Sequence, residues 1–369
     1  MNTLKKSLAI LLAIVLVLSC AACGNGKSTS DTNSSSSAAL DMSSLNWNYD
    51  SDNDVYWLTG FAYCSKPQAT DIETMGVYVP GAYFTGTKNS DGTYSCKINS
   101  SGTCADYNAK SAPIVIPVNT PGYSSSAAPT EYNYNSVSSY LAAGFIYVQP
   151  GIRGRASMSG TAENQSYSGG APWGVTDIKA AIRCYRYNAE ILPGNTDNIY
   201  TFGMSGGGAQ SALVGSTGDS PLYTPYLEAI GAAMTNASGK TISDAVTGSM
   251  CWCPITSLDE ADAAYEWNMG QFSTSGVRAS GTFGAELSKD LASSFASYIN
   301  ALKLKNGDTT LTLSESSSGV YQAGSYYDYM LSVAQTSLNN FLADTTFPYT
   351  ETASAQFPGG SSGTMGGGM

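Results

Sequence analysis

Gly203-Met204-Ser205-Gly206-Gly207 follows the apolar run Asn198-Ile199-Tyr200-Thr201-Phe202. G-x-S-x-G after a strand is the pattern of a nucleophile elbow, a sharp strand-to-helix turn that lifts a serine oxygen clear of a sheet. The chemistry it serves is acyl transfer, in which the oxygen attacks a carbonyl and backbone N–H groups hold the oxyanion. A serine hydroxyl needs a neighbour to take its proton, and imidazole is the usual one because its pKa lies near working pH. Here the pattern meets a contradiction: the 369 residues include no histidine.

The context supports Ser205 as the nucleophile. Gly206-Gly207-Gly208 follow it, and Ala209, Ala212 and Gly215 give the next helix a face that packs closely on a sheet. The Gly206 N–H is one expected oxyanion donor. The second is expected from Asn119-Thr120-Pro121-Gly122-Tyr123, the loop after an apolar run, and Gly122 is the choice because Pro121 has no N–H. An ordinary Pro-Gly turn fits that loop equally well. No spacing identifies a lysine or carboxylate as a substitute base. Asp259 follows the last apolar run, a place for a triad acid, but a surface or helix-capping role fits it better.

Alternating elements must position these groups. Val55 to Leu58, Met75 to Val79, Ala112 to Val118, Phe145 to Val148, Asn198 to Gly203 and Asp244 to Pro254 read as strands, the third as buried on both faces. Ser136 to Ala143, ended by Gly144, and Asp177 to Glu190, with Asp177 favouring the helix dipole, read as helices. The alternation predicts an α/β fold with a mainly parallel sheet and helices on both faces. Residues 257–350 then turn helical and polar, including Leu287 to Leu304 and Tyr321 to Leu342.

Composition narrows the partners. Net charge is -11 with 12% charged residues, which excludes the Lys/Arg clusters of nucleic-acid binding. Lys5 and Lys6 precede an apolar run from Leu8 to Leu18, too short to span a bilayer and suited to a signal peptide. Cys20-Ala21-Ala22-Cys23-Gly24 resembles a lipoprotein lipobox, with Cys23, or Cys20, as the lipidated residue. This predicts a lipid anchor, a Ser/Asn-rich tether and a location on the extracellular face of the cell membrane. Six further cysteines permit fifteen pairings, with Cys96 and Cys104 the first candidate pair. Cys251 and Cys253 read as buried structural thiols. No metal site and no cofactor are implied.

Taken as a set, Gly151-Ile-Arg153-Gly-Arg155, Asp177-Ile-Lys179-Ala-Ala-Ile-Arg183, Gly203-Met-Ser205-Gly-Gly-Gly-Ala209, Gly218-Asp-Ser-Pro-Leu-Tyr-Thr-Pro-Tyr226 and Cys253-Pro-Ile-Thr-Ser-Leu-Asp259 resemble the bacterial tannases. Pro193-Gly-Asn195, Ala264-Tyr-Glu266-Trp267, Met75-Gly-Val-Tyr-Val-Pro80 and the Pro-Gly-Tyr loop join the set. That family consists of α/β-hydrolases that cleave galloyl esters, and it is related in plan to the feruloyl esterases. The resemblance implies Ser205 as acyl nucleophile, a plant-derived or other small-molecule ester as substrate, and a lid after the sixth strand. In this fold the acid and histidine follow the serine. The chain therefore reads as truncated or in need of a downstream segment, with its C-terminal strands missing. The alternative reading is a catalytically inactive surface lipoprotein that binds aromatic esters or glycans.

The expected organisation is a signal peptide over 1–22, a tether over 23–44, a hydrolase core over 45–256, a helical lid over 257–350 and a Gly/Ser-rich linker over 351–369. Tyr265, Glu266 and Trp267 at the lid entry are the candidate substrate contacts. Arg153 and Arg155 are left to salt bridging with Asp177 or Glu163.

Overall fold

The computed structural model describes residues 40–160, 164, 166–254 and 257–349. The signal peptide with Cys20 and Cys23, the tether up to residue 39, Glu163 and the segment 351–369 lie outside the described residues.

One seven-stranded sheet carries the fold: β1 (Asn48–Asp50), β2 (Val55–Ala62), β3 (Thr74–Pro80), β4 (Ile114–Val118), β5 (Ile146–Pro150), β6 (Ile199–Met204) and β7 (Gly248–Trp252). Their spatial order is β1-β2-β3-β5-β4-β6-β7. The four strands β5, β4, β6 and β7 run parallel, while β1, β2 and β3 are antiparallel to their neighbours. The sheet is thus mixed, which amends the expectation of a mainly parallel one. Only β4 to β7 are joined by helical crossovers, and the earlier strands return without one.

Side-chain alternation builds the two faces. Val77, Val79, Ile114, Ile116, Ile146, Val148 and Ile199 join one core with α2 (Trp173–Tyr187) and α3 (Gly206–Ser216). Tyr78, Val115, Tyr147 and Phe202, their sequence neighbours, join a second core with Val137 and Leu141 of α1 (Tyr134–Ala142). Asn133 caps α1 by accepting the Asn135 N–H at 3.1 Å, and Gly144 at φ 80° follows its end. The second face is aromatic, with Tyr140 stacked on Phe202 and Trp57 stacked on Tyr132.

Helix α2 is located by buried charge. Asp177 accepts from the Arg153 backbone N–H at 2.8 Å and from Nη2 at 2.6 Å, while Arg153 Nη1 donates to Gln68 at 2.6 Å. Glu73 closes the cluster 3.4 Å from the same guanidinium, and all three charged side chains are fully buried. Trp173 lies under the guanidinium, 4.5 Å from its ring centroid. Two residues on, Lys179 donates to Asp244 at 2.7 Å, and one turn further Arg183 Nε donates to the same carboxylate at 2.7 Å. Asp177 is therefore the ion-pair partner of Arg153 that the sequence offered, though it lies beyond the first helical turn, and Asp244 precedes β7 rather than opening it.

Three further expectations change. Leu40 and Met42 are buried, and their backbones bond the Asn188 side chain at 2.9 Å, so residues expected in the tether pack on the core. All six described cysteines are free, because Cys96 Sγ faces the Tyr94 carbonyl while Cys104 Sγ faces that of Leu141. Cys251 is half-buried and Cys253 exposed, so neither is a buried thiol.

The short helix α4 (Thr224–Ala229) precedes β7, and α5 (Ala261–Asn268), α6 (Phe283–Leu302) and α7 (Ser325–Asp344) follow it. Ala263, Trp267, Ala292, Phe295, Ala296, Ile299 and Leu313 form a small core of their own among them. Helix α7 buries none of its residues.

Replacing Arg153 by leucine leaves Asp177 and Glu73 buried without a cation. The expected loss is about 3 to 5 kcal/mol, read as a lowered denaturant midpoint. Arg153→Lys is expected to recover little, since one ammonium cannot span Asp177 and Gln68 together.

Candidate active site

Strand β6 leaves the sheet between β4 and β7, with Gly203 paired to Val118 on one side and Cys251 on the other. The crossover from β4 takes one face and that from β6 the other, so a crevice opens at their carboxyl ends, where ligands of open α/β sheets bind. Ser205 sits there with φ 55° and ψ -119°, a region that a side chain occupies at a cost. Its N–H donates to the Trp252 carbonyl at 3.0 Å, which holds the turn against β7.

The flanking glycines are required by contact. A β-carbon on Gly207 would fall 2.0 Å from the Val118 oxygen, and one on Gly203 would fall 2.4 Å from the Gly207 oxygen. A β-carbon on Gly206 would fall 2.6 Å from the Thr120 oxygen and 3.3 Å from the Gly122 nitrogen. The structure therefore brings Ser205, Gly206 and Gly122 together. Gly206 opens α3, so its N–H has no acceptor within the helix. The neighbouring Tyr123 N–H is already used, donating to Thr120 O at 3.0 Å.

Sequence reasoning missed the tie that holds this turn. The Thr120 hydroxyl donates to Gln210 Oε1 at 2.8 Å, both residues being buried, and this fastens the loop after β4 to α3. Gly122 at φ 55° and Tyr123 at φ 60° then turn the chain back. The Tyr123 hydroxyl is buried with no hydrogen-bond partner among the described residues, and burial raises its pKa.

Among the described residues no side chain hydrogen-bonds the Ser205 hydroxyl, and no group of three Cys, Asp or Glu is placed to hold a metal ion. Asp259 is exposed and caps no helix, α5 beginning after Glu260 without a side-chain cap. Of the three lid-entry candidates, two serve the helical core. The Glu266 carboxylate is taken by Arg278, with Nε at 2.9 Å, and by the Ser288 hydroxyl. Trp267 is buried against Phe295, its Nε1 donating to Tyr321 O at 2.8 Å. Tyr265 remains exposed, with Arg278 over its ring at 5.5 Å.

No protein-family model and no curated protein matches the chain. Solved structures do. A tannin acyl hydrolase in complex with ethyl gallate is 30% identical, with a TM-score of 0.55 over 78% of this chain and 60% of that one. The tannase of Fusobacterium nucleatum is 29% identical, with a TM-score of 0.57 over 79% of this chain and 60% of that one. The native tannin acyl hydrolase from Lactobacillus plantarum is 29% identical, with a TM-score of 0.54 over 80% and 63%. The chain thus spans less than two thirds of the length of these enzymes.

Two outcomes test this geometry. Ser205→Gly is expected to stabilise the fold by about 1 to 3 kcal/mol through relief of backbone strain, read as a raised Tm, whereas Gly207→Ala lowers it. Arg278 holds the Glu266 pKa below its ordinary 4.5, so their pairing is complete above that pH and is lost as pH falls through the lowered value. Amide exchange in α5 and α6 is expected to accelerate on acidification, and Glu266→Gln to remove most of that pH dependence.

Proposed function

We infer that this chain, which is tannase-like over 78 to 80% of its length, is the nucleophile-bearing part of a carboxylic ester hydrolase. The observation that carries the reading is the strained Ser205 at the amino end of α3, beside the turn at Gly122. In the proposed reaction the Ser205 Oγ attacks the ester carbonyl carbon and its proton passes to a base. The developing oxyanion takes hydrogen bonds from the Gly206 and Gly122 N–H groups, favoured by the dipole of α3. Collapse expels the alcohol, which receives the proton, and leaves an acyl-serine. Water then attacks that carbonyl by the same path and releases the acid.

The substrate class proposed is an ester of an aromatic acid, since one similar enzyme is a complex with ethyl gallate. The proposed base is an imidazole from outside these 369 residues, because the chain contains none. Residues 257–349 are proposed as the lid. The lipid anchor at Cys23, or Cys20, and the cell-surface location belong to this proposal as well.

With imidazole added, a fluorophosphonate probe is expected to label Ser205, identified by peptide mass analysis. Ethyl gallate turnover by the chain alone is expected to be slow and to rise with added imidazole, a general base contributing about 10²- to 10⁴-fold when well placed. Ser205→Ala should remove both the label and the turnover. Equal hydrolysis by that variant would end the nucleophile assignment, and full activity without imidazole would mean that the base lies within the chain.

A further inference from the structure

The motif Gly151-Ile152-Arg153-Gly154-Arg155 gives its two arginines opposite surroundings. Arg153 is fully buried and its guanidinium is occupied by Asp177, Glu73 and Gln68. Arg155 is exposed, and of the five arginines in the chain its guanidinium alone makes no hydrogen bond or ion pair among the described residues. Such isolation is uncommon in a chain with 28 acidic residues against 17 basic ones.

Its position is fixed from behind. The Arg155 N–H donates to Tyr123 O at 2.8 Å, and Ile152 pairs with Ser126 through bonds of 2.7 and 2.9 Å. A β-carbon on Gly154 would fall 2.2 Å from Ser125 N, so the two loops are in backbone contact. The guanidinium consequently stands over the Gly122 turn, Nη2 lying 3.8 Å from the place of a β-carbon on Gly122. The Gly122 nitrogen is in turn 3.3 Å from the corresponding point on Gly206. A cation with no partner among the described residues, an N–H with no acceptor within its helix and a turn at positive φ thus converge on one spot beside Ser205.

We propose that Arg155 is the anion-recognising residue of this site, binding the carboxylate of the aromatic acid and so setting how tightly the acid product is held. The proposal rests on the ester-hydrolase reading, because the acid is that reaction's product. A guanidinium suits the role: it stays charged at any working pH and presents a planar fork that matches a carboxylate. A neutral ester with the same ring offers it no charge.

Gallate and ethyl gallate form the matched pair for the test, by titration calorimetry on a Ser205→Ala background that keeps the ester intact. Arg155→Gln is expected to weaken gallate binding about tenfold while ethyl gallate changes by less than about twofold. Added salt should weaken gallate binding before the substitution and hardly after it. Arg155→Lys is expected to restore part of the affinity as a single point charge. Equal losses for acid and ester would make Arg155 a support of the turn and overturn the proposal. So would unchanged gallate affinity in Arg155→Gln, or no gallate binding before substitution. Fluorophosphonate labelling of Ser205 in the otherwise unaltered chain with added imidazole tests the nucleophile separately, so failure of one assignment is distinguishable from failure of the other.

Discussion

The Val118 carbonyl oxygen stands where a side chain on Gly207 would begin, and this contact between the end of β4 and the start of α3 governs the rest of the site. Two adjacent parallel strands send their chains to opposite faces of the sheet, and the following helix can reach the edge of the crevice only if its first turn has no side chains. The glycines at 203, 206 and 207 meet that condition. Once it is met, the Gly206 N–H and the Gly122 turn come to one place, and the buried Thr120 to Gln210 bond keeps them there. The geometry proposed for catalysis is a by-product of close backbone packing.

The register of α2, which shares a core with α3, is set by charge as well as by apolar fit. Arg153 joins the approach to β3, the loop after β5 and α2 through Glu73 and Asp177, while Lys179 and Arg183 fasten α2 to the approach to β7 through Asp244. Ion pairs sealed from water are a weak source of net stability but penalise any arrangement that separates them. A helix held only by Ile178 and Ile182 could rotate or slide at little cost, whereas one held by three buried charges has a single register. That register also holds Arg155 at the surface, two residues beyond a buried anchor.

The parts legible in the sequence are those whose causes are local. The elbow, the fully apolar β4, the helix ended by Gly144 and the alternation of β4 to β7 with helices all follow from residues within a few positions of one another. Fates decided by distant partners were mostly not legible, the pairing of Arg153 with Asp177 being the exception. Nothing near Arg153 announces Glu73, eighty positions earlier, and without that partner Arg153 and Arg155 look alike. Glu266 and Trp267 have the composition of a phenol-binding pair, yet Arg278, Ser288 and Phe295 claim them. Cys96 and Cys104 flank a plausible turn but belong to elements that point their thiols apart. The antiparallel start of the sheet was hidden for a similar reason, since strand direction depends on pairing and the strands themselves read alike.

Within the elbow, the glycines and the serine answer to different pressures. Any descendant that keeps the fold must keep glycine at 203 and 207, whether or not it transforms a substrate, so those positions carry no record of use. Position 205 is different, because its dihedral angles favour glycine and a side chain persists there only against the preference of the backbone. A lineage that had ceased to employ the hydroxyl would therefore drift most readily at this one position. The β-carbon at 205 thus acts as a gauge of continued employment, set inside a motif that is otherwise silent on the matter.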